Sequence, residues 1–231
     1  MPPTLLLTRP EDASRRFAAG LAELGLDLLI SPVLHIVPVA HDPAPLQAAK
    51  GLVFTSVHAV PHGGEGRGRP AICVGPATAL AAREAGFSVT EGPGDAARMM
   101  PLLDDLGAGW MHPHGAHVAR ALPVPGVVVY DQLPQGASSA AADLLARPGQ
   151  VIVPVFSPRS SRLVSDWAQG AKANLYVAAI SRAALAEWRA GFAAFRIAQT
   201  PDAAGMRSAV AALVREELTY LRRVEAPKGA D

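Results

Sequence analysis

Cysteine is almost missing from this sequence: among 231 residues there is one, Cys73. A lone thiol excludes an internal disulfide framework, and its place in the apolar run 71–74 predicts an inert core side chain. Charge is scarce as well. Only 18% of residues are charged and the net charge is +1, so no global field draws nucleic acid. A polyanionic ligand must instead be met by local donors. Long hydrophobic runs are lacking too, since nothing approaches the roughly 18 apolar residues of a membrane span. Leu5–Leu7 is too short for a secretion signal and has no basic residues before it. The expectation is a cytoplasmic protein with neither membrane nor nucleic-acid partners. No G-x-G-x-x-G or P-loop pattern is present, and the glycines between 63 and 68 do not directly follow a strand. That argues against a nucleotide-dependent transferase.

Half of the residues are hydrophobic, enough for buried cores and too many for a disordered chain. One strand-and-helix pattern is written twice. Residues 74–87 read V-G-P-A-T-A-L-A-A-R-E-A-G-F, and residues 180–192 read I-S-R-A-A-L-A-E-W-R-A-G-F. Downstream of each comes Asp-Ala-Ala-x-Met, at 95–99 and at 202–206. Upstream of each lies an apolar strand ending in a small hydroxyl residue, Val53-Phe54-Thr55-Ser56 and Val155-Phe156-Ser157. Matching order at nearly constant offset points to two copies of an α/β unit, and a cleft between two such lobes is where a small ligand would bind.

Apolar runs at 4–8, 27–30, 52–55, 71–74, 89–91, 110–112, 151–156, 175–180 and 194–197 read as strands. Helical spacing predicts helices beginning near Arg9-Pro10 and over 77–85, 96–106, 138–146, 161–169, 182–189 and 203–221, with a short helical turn at 115–122. The Gly- and Pro-rich stretch 61–70 predicts a shortened crossover, and residues 225–231 read as a frayed tail. Asp95, Asp143 and Asp202 read as helix-start acids. Ser31–Val39 and Val127–Pro134 look like two extended linkers, near 34–39 and 127–132. If they pair, residues 39–127 form an inserted domain, and residues 1–35 with 132–231 form one discontinuous domain. Alternating strands and helices imply parallel sheets in both.

In this order the motifs resemble the uroporphyrinogen-III synthase family over nearly the whole chain. They are Leu-Leu-Thr-Arg-Pro at 6–10, the linker from Ser31-Pro32 to Pro38, Val-Phe-Thr-Ser-x-x-Ala-Val at 53–60 and Val-Gly-x-x-Thr-Ala at 74–79. Val-Val-Tyr at 128–130, Phe-Ser-Pro-x-Ser at 156–160 and Ala-Ile-Ser at 179–181 complete the set. The resemblance implies two flavodoxin-like parallel-sheet α/β domains joined by a two-stranded linker, one domain discontinuous. It implies a cyclising lyase of tetrapyrrole biosynthesis, acting on the small-molecule substrate hydroxymethylbilane as a monomer. Ring D is inverted, water is lost, and no metal or organic cofactor takes part.

Such a substrate carries eight carboxylates, and its closure is mainly a conformational task of bringing the crowded carbon of the terminal ring into reach. Corners between strands and helices offer free N–H groups to carboxylates. Those rich in small or hydroxyl residues carry Thr55, Ser56, Thr78, His114, Gly115, Ser157 and Ser181. Ser and Thr at these corners equally serve as helix caps. Arg9 follows the first strand and is placed to grip a carboxylate bidentately, or to pair with Glu11 or Asp12. Arg159 and Arg182 occupy comparable corners. Tyr130, where the family carries a tyrosine, is expected to hydrogen-bond the departing hydroxyl and assist its loss, the alternative being an aromatic packed at the hinge with its hydroxyl satisfied. His112, His114 and His117 form a trio without a carboxylate at metal-ligand spacing, so no metal site is expected. In related proteins the loop of His114 often carries an arginine and a glycine, and the loop after Ile180 a threonine where Ala183-Ala184 stand here. A non-catalytic two-lobed protein that binds small anions remains the competing reading.

Overall fold

The computed structural model describes residues 2–94, 96–118 and 120–218. Contacts divide the chain into two compact units, Met1–His35 with Pro134–Asp231, and Ile36–Leu133.

The first unit opens with β1 (Thr4–Leu7), α1 (Glu11–Ala19) and β2 (Asp27–Ile30). Pro10 stands before α1, Glu11 and Asp12 lie in its first turn, and Gly25 ends the following 3₁₀ turn at φ 60°. The chain then enters β3 (Leu34–Pro38), which carries it into the second unit. There α2 (Ala44–Ala48), β4 (Gly51–Phe54), β5 (Pro70–Cys73), α3 (Pro76–Glu84), β6 (Ser88–Glu91), β7 (Trp110–Gly115) and β8 (Gly126–Pro134) follow. The first unit resumes with α4 (Ser139–Ala146), β9 (Gln150–Val155), α5 (Pro158–Trp167) and β10 (Asn174–Ala179). It ends with α6 (Arg182–Ala186), β11 (Ala194–Ile197) and α7 (Ala203–Leu213), which passes into a π turn at Val214–Leu218. The expected helix to residue 221 and the tail at 225–231 run beyond the described residues.

In the first unit the strand order is β2-β1-β9-β10-β11, with every registered pair parallel. Counted along the unit this is 2-1-3-4-5, the flavodoxin-like order, whose switch point falls between β1 and β9. Side-chain alternation divides its core. Leu5, Leu7, Ile152 and Tyr176 pack against Phe17 of α1 and Met206, Val210 and Leu213 of α7. Leu6, Val151, Val153, Val155, Leu175 and Val177 face α4, α5 and α6 on the other side. Runs buried on both faces explain why these strands read as continuous apolar stretches.

In the second unit the order is β6-β5-β4-β7-β8, with β3 added beside β8. Its switch point lies between β4 and β7. The repeat is visible here, since β4-β5-β6 and β9-β10-β11 run in the same order with the same parallel pairing. One face packs Leu52, Phe54, Ala71 and Cys73 against Leu46, Ala79, Ala82 and Phe87. Burial pushes the Cys73 thiol up to about 11 and keeps it protonated and inert.

Two stretches depart from the sequence reading, while the shortened crossover it predicts is present. Val57–Gly63 is a 3₁₀ segment containing Pro61, and it forms the shortened crossover between β4 and β5. No α-helix forms over 96–106 among the described residues; turns lead into a 3₁₀ turn at Met100–Leu102. Pro101 lacks an N–H and would clash one turn back, so residues 96–105 cannot share one helix with it in the middle. Met99 and Leu103 still bury themselves against Val53 and Ile72. The helical turn expected at 115–122 is also absent among the described residues, so Gly115 ends a strand instead of opening a helix. Asp202 does cap its helix, accepting from the Gly205 N–H at 2.8 Å, whereas Asp143 lies inside α4 and pairs with Arg147 at 3.8 Å. Asp95 lies outside the described residues.

Candidate functional site

A cavity of about 380 Å³ opens within the second unit, where its parallel strands end. Thr55 and Ser56 after β4, Val74 after β5, Gly94 after β6 and Gly115 at the end of β7 form one part of its wall. Tyr130 and Gln132 of β8, with His117, Val118 and Arg120 of the β7–β8 loop, form the rest. The carboxyl ends of strands flanking a switch point are the usual ligand position in such sheets. Gly94 reaches this wall at φ 100°, a conformation that glycine adopts without penalty. By contrast, a hollow of about 330 Å³ in the first unit is lined by Leu5, Ala18, Ala19, Leu21, Ala22, Leu26 and Leu28, with Arg15 its one polar side chain. That wall cannot bind several carboxylates.

Tyr130 is 4% exposed and belongs to the core of its unit, yet it lines the cavity. Its ring is fixed from two sides. A Cβ added at Gly115 would stand 2.6 Å from ring atoms of Tyr130, so the glycine permits that contact. The His58 ring meets it edge-on at a centroid distance of 5.8 Å, and burial lowers the His58 pKa, favouring a neutral imidazole. The backbone reinforces the contact, as the Ala116 N–H donates to the Tyr130 carbonyl at 2.9 Å.

Beside the cavity, His112 Nε2 and Thr55 Oγ1 lie 2.9 Å apart. His112 is buried, and its pKa is pushed down to about 4, chiefly by burial and then by His114. A neutral imidazole offers one donor and one acceptor nitrogen, and the threonine hydroxyl suits either. His114 Nδ1 lies 2.8 Å from the Gly115 carbonyl, and its Nε2 sits 2.5 Å from where a Cβ of Gly126 would be. Its ring is therefore packed against β8 and does not line the cavity.

The remaining sequence candidates are distributed as follows. Thr78 is buried in the first turn of α3, away from the cavity wall. Ser157 caps α5 in a reciprocal capping box with Ser160, and Ser181 caps α6 by accepting from the Ala184 N–H at 3.2 Å. Arg9 follows β1, with its guanidinium carbon 4.5 Å from the Phe156 ring centroid. Glu11 pairs with Arg15 instead, and Arg9 makes no ion pair among the described residues. Burial, and then Arg16, lower its pKa. The first unit thus presents a half-buried cation, without a counter-charge among the described residues, beside the β1/β9 switch point. Thr55, Ser56, Gly115 and Tyr130 are brought together; Thr78 and His114 are not. Arg120, Gln132 and the Thr55–His112 contact emerge only from the structure, and so does the place on the cavity wall of His117, which the sequence offered only as one of a histidine trio. A loop without periodicity gave no signal for Arg120.

The model of the family described as uroporphyrinogen-III synthase HemD matches residues 15–208. No curated protein matches the chain. Among solved structures, uroporphyrinogen-III synthetase from Helicobacter pylori is similar at 14% identity, covering 92% of this chain and 100% of that one, with a TM-score of 0.60. Uroporphyrinogen III synthase from Thermus thermophilus is 17% identical, covering 94% and 99%, with a TM-score of 0.39. At such identity the first likeness speaks for a shared fold of mixed helices and parallel sheets. The family match spans well over half of the sequence, and the chain belongs to the uroporphyrinogen-III synthase family.

Proposed function

We propose that this chain closes hydroxymethylbilane to uroporphyrinogen III, with loss of water and inversion of the terminal ring, and so serves tetrapyrrole biosynthesis. The observation that carries the reading is the convergence of Tyr130, Thr55, Ser56 and Gly115 on one cavity in a chain of this family. The reaction starts when a pyrrole nitrogen lone pair expels the hydroxyl of the hydroxymethyl group. Tyr130 donates a hydrogen bond to that oxygen as it leaves. Closure then takes place at the substituted carbon of the terminal ring, through a spiro intermediate that opens and recloses. Electrons for every step come from the substrate's own pyrroles, so the protein's task is to bend the chain and hold it.

Holding falls to donors that carry little net charge. Thr55 and Ser56 hydroxyls, the Gln132 amide and the Arg120 guanidinium on the cavity wall suit carboxylates and pyrrole N–H groups. Arg9, with no carboxylate beside it among the described residues, is proposed to take a further substrate carboxylate. Ser181 uses its oxygen as a cap and keeps its hydroxyl proton for donation, whereas Ser157 Oγ caps α5 and also lies 2.9 Å from Ser160 Oγ, so it is proposed to meet the substrate only by giving up that contact. Thr78 and His114 are proposed to act at most by shaping the wall. The reading carries with it a cytoplasmic monomer. No described helix is long and apolar enough to cross a membrane.

The test is a time course of freshly prepared hydroxymethylbilane with and without the protein. Catalysis shortens the lifetime of the bilane in proportion to protein concentration. A protein that merely binds anions leaves the spontaneous rate unchanged or slows it, and that result overturns the proposal.

A further inference from the structure

His117 lines the same cavity as Tyr130, and its Nε2 lies 3.5 Å from Asp131 Oδ1. The carboxylate is itself held, since Oδ1 accepts the Gln132 N–H at 2.6 Å. A backbone donor thus fixes a carboxylate, and the carboxylate stands within ion-pair distance of one nitrogen of an imidazole on a cavity wall. That is the arrangement by which a histidine is oriented for proton transfer, with the other ring nitrogen left to face the reactant. With His117 more than half exposed the pair contributes little to stability.

We infer that His117, positioned by Asp131, is a second proton donor at the Tyr130 cavity, and that it protonates the departing hydroxyl of the bilane. The inference rests on the synthase reading above and adds a residue to it. In the step, the C–O bond breaks and its electron pair leaves with oxygen. That oxygen takes the proton from His117 Nδ1 and departs as water. The pyrrole nitrogen lone pair forms the new double bond of the azafulvene, and Asp131 remains beside the neutralised imidazole to offset the positive charge developing on the pyrrole. When the terminal ring recloses and regains its aromaticity it loses one proton, which returns to His117. Overall, one bilane gives one macrocycle and one water. Among the described residues, the ionisable groups around His117 are Asp131 and Tyr130 of β8 and Arg120 of its own loop.

The test uses the full-length protein with hydroxymethylbilane, comparing wild type, His117→Gln and Asp131→Asn across pH. The expected result is a kcat lowered by roughly tenfold or more in His117→Gln, with KM changed by less than about twofold. Asp131→Asn lowers kcat in the same sense while its folding midpoint stays at the wild-type value. An unchanged kcat in His117→Gln overturns the inference, and so does a raised KM with kcat intact, which would make His117 a binding group only. Should wild type fail to accelerate closure, the synthase reading falls and takes this inference with it. An active wild type matched by an equally active variant removes His117 alone.

Discussion

Thr55 Oγ1 and His112 Nε2, 2.9 Å apart, tie the residue after β4 to the middle of its neighbour β7, beside the cavity that Thr55 lines. Burial holds the His112 pKa near 4 and keeps its ring neutral. It also makes the fold sensitive to acid. Unfolded, the ring regains its ordinary value of 6.5, so between the two values the unfolded chain binds the extra proton. Stability from this group is present above 6.5 and is lost as pH falls towards 4, by an amount on the order of 3 kcal/mol. Urea unfolding at about pH 7.5 and about pH 5 reads this directly. His112→Gln, which retains an amide for Thr55 and does not titrate, flattens the difference. An equal acid loss in both proteins shows that another group is responsible.

Gly115 is small because Tyr130 occupies the space beside it. Gly115→Ala places a methyl group 2.6 Å from the ring, so the ring must swing. Overpacking of this kind costs about 1–3 kcal/mol. Turnover falls more steeply than stability, since the displaced phenol leaves its position on the cavity wall. Thermal midpoints and kcat measured on the same preparation check this, and a stable variant with full kcat would show that the position of the ring is unimportant.

Tyr130→Phe keeps the ring and removes only the hydroxyl. Folding midpoints stay close to wild type, and kcat drops by roughly tenfold, at the lower end of what a positioned proton donor contributes. Wild-type kinetics in this variant would take Tyr130 out of the chemistry and leave it a packing residue.

Arg9 and Ser157 stand at the ends of adjacent strands β1 and β9 but predict different losses. Arg9→Gln raises KM severalfold with kcat nearly unchanged, because a carboxylate grip removed from ground and transition states alike weakens binding uniformly. Ser157→Ala breaks a capping box and lowers stability by about 1 kcal/mol. Steady-state kinetics and denaturant midpoints on both variants separate the roles. A KM unchanged in Arg9→Gln leaves that cation without a substrate function.

The parallel sheets were legible in the sequence because strands buried on both faces write themselves as unbroken apolar runs, as at Leu5–Leu7 and Val151–Val155. Helix starts were nearly as clear at Ser138, Ser181 and Asp202, whereas the helix capped by Ser157 begins at Pro158, three residues before the start at 161 that its spacing predicts. Two kinds of information were hidden. One is the balance between local pattern and a single breaker, since the alanines and methionines of 96–106 look helical until Pro101 is weighed against them. The other is tertiary. The Gly-Phe closing each repeated segment looks identical, yet Phe87 is 5% exposed and Phe192 is 45% exposed, because only the first copy is covered by the Arg69 side chain and Phe54. The places of His117 and Arg120 on the cavity wall were hidden for the same reason, as they depend on where the β7–β8 loop lies relative to the ends of β4 and β7.

The central claim is that the protein directs closure to the substituted carbon, and the isomer of the product reports on that choice. Hydroxymethylbilane is incubated with native protein and, in parallel, with heat-denatured protein, and the oxidised porphyrins are resolved by chromatography. The account predicts predominantly the type III isomer from the native sample and the type I isomer from the control. Type I alone from both samples would contradict it.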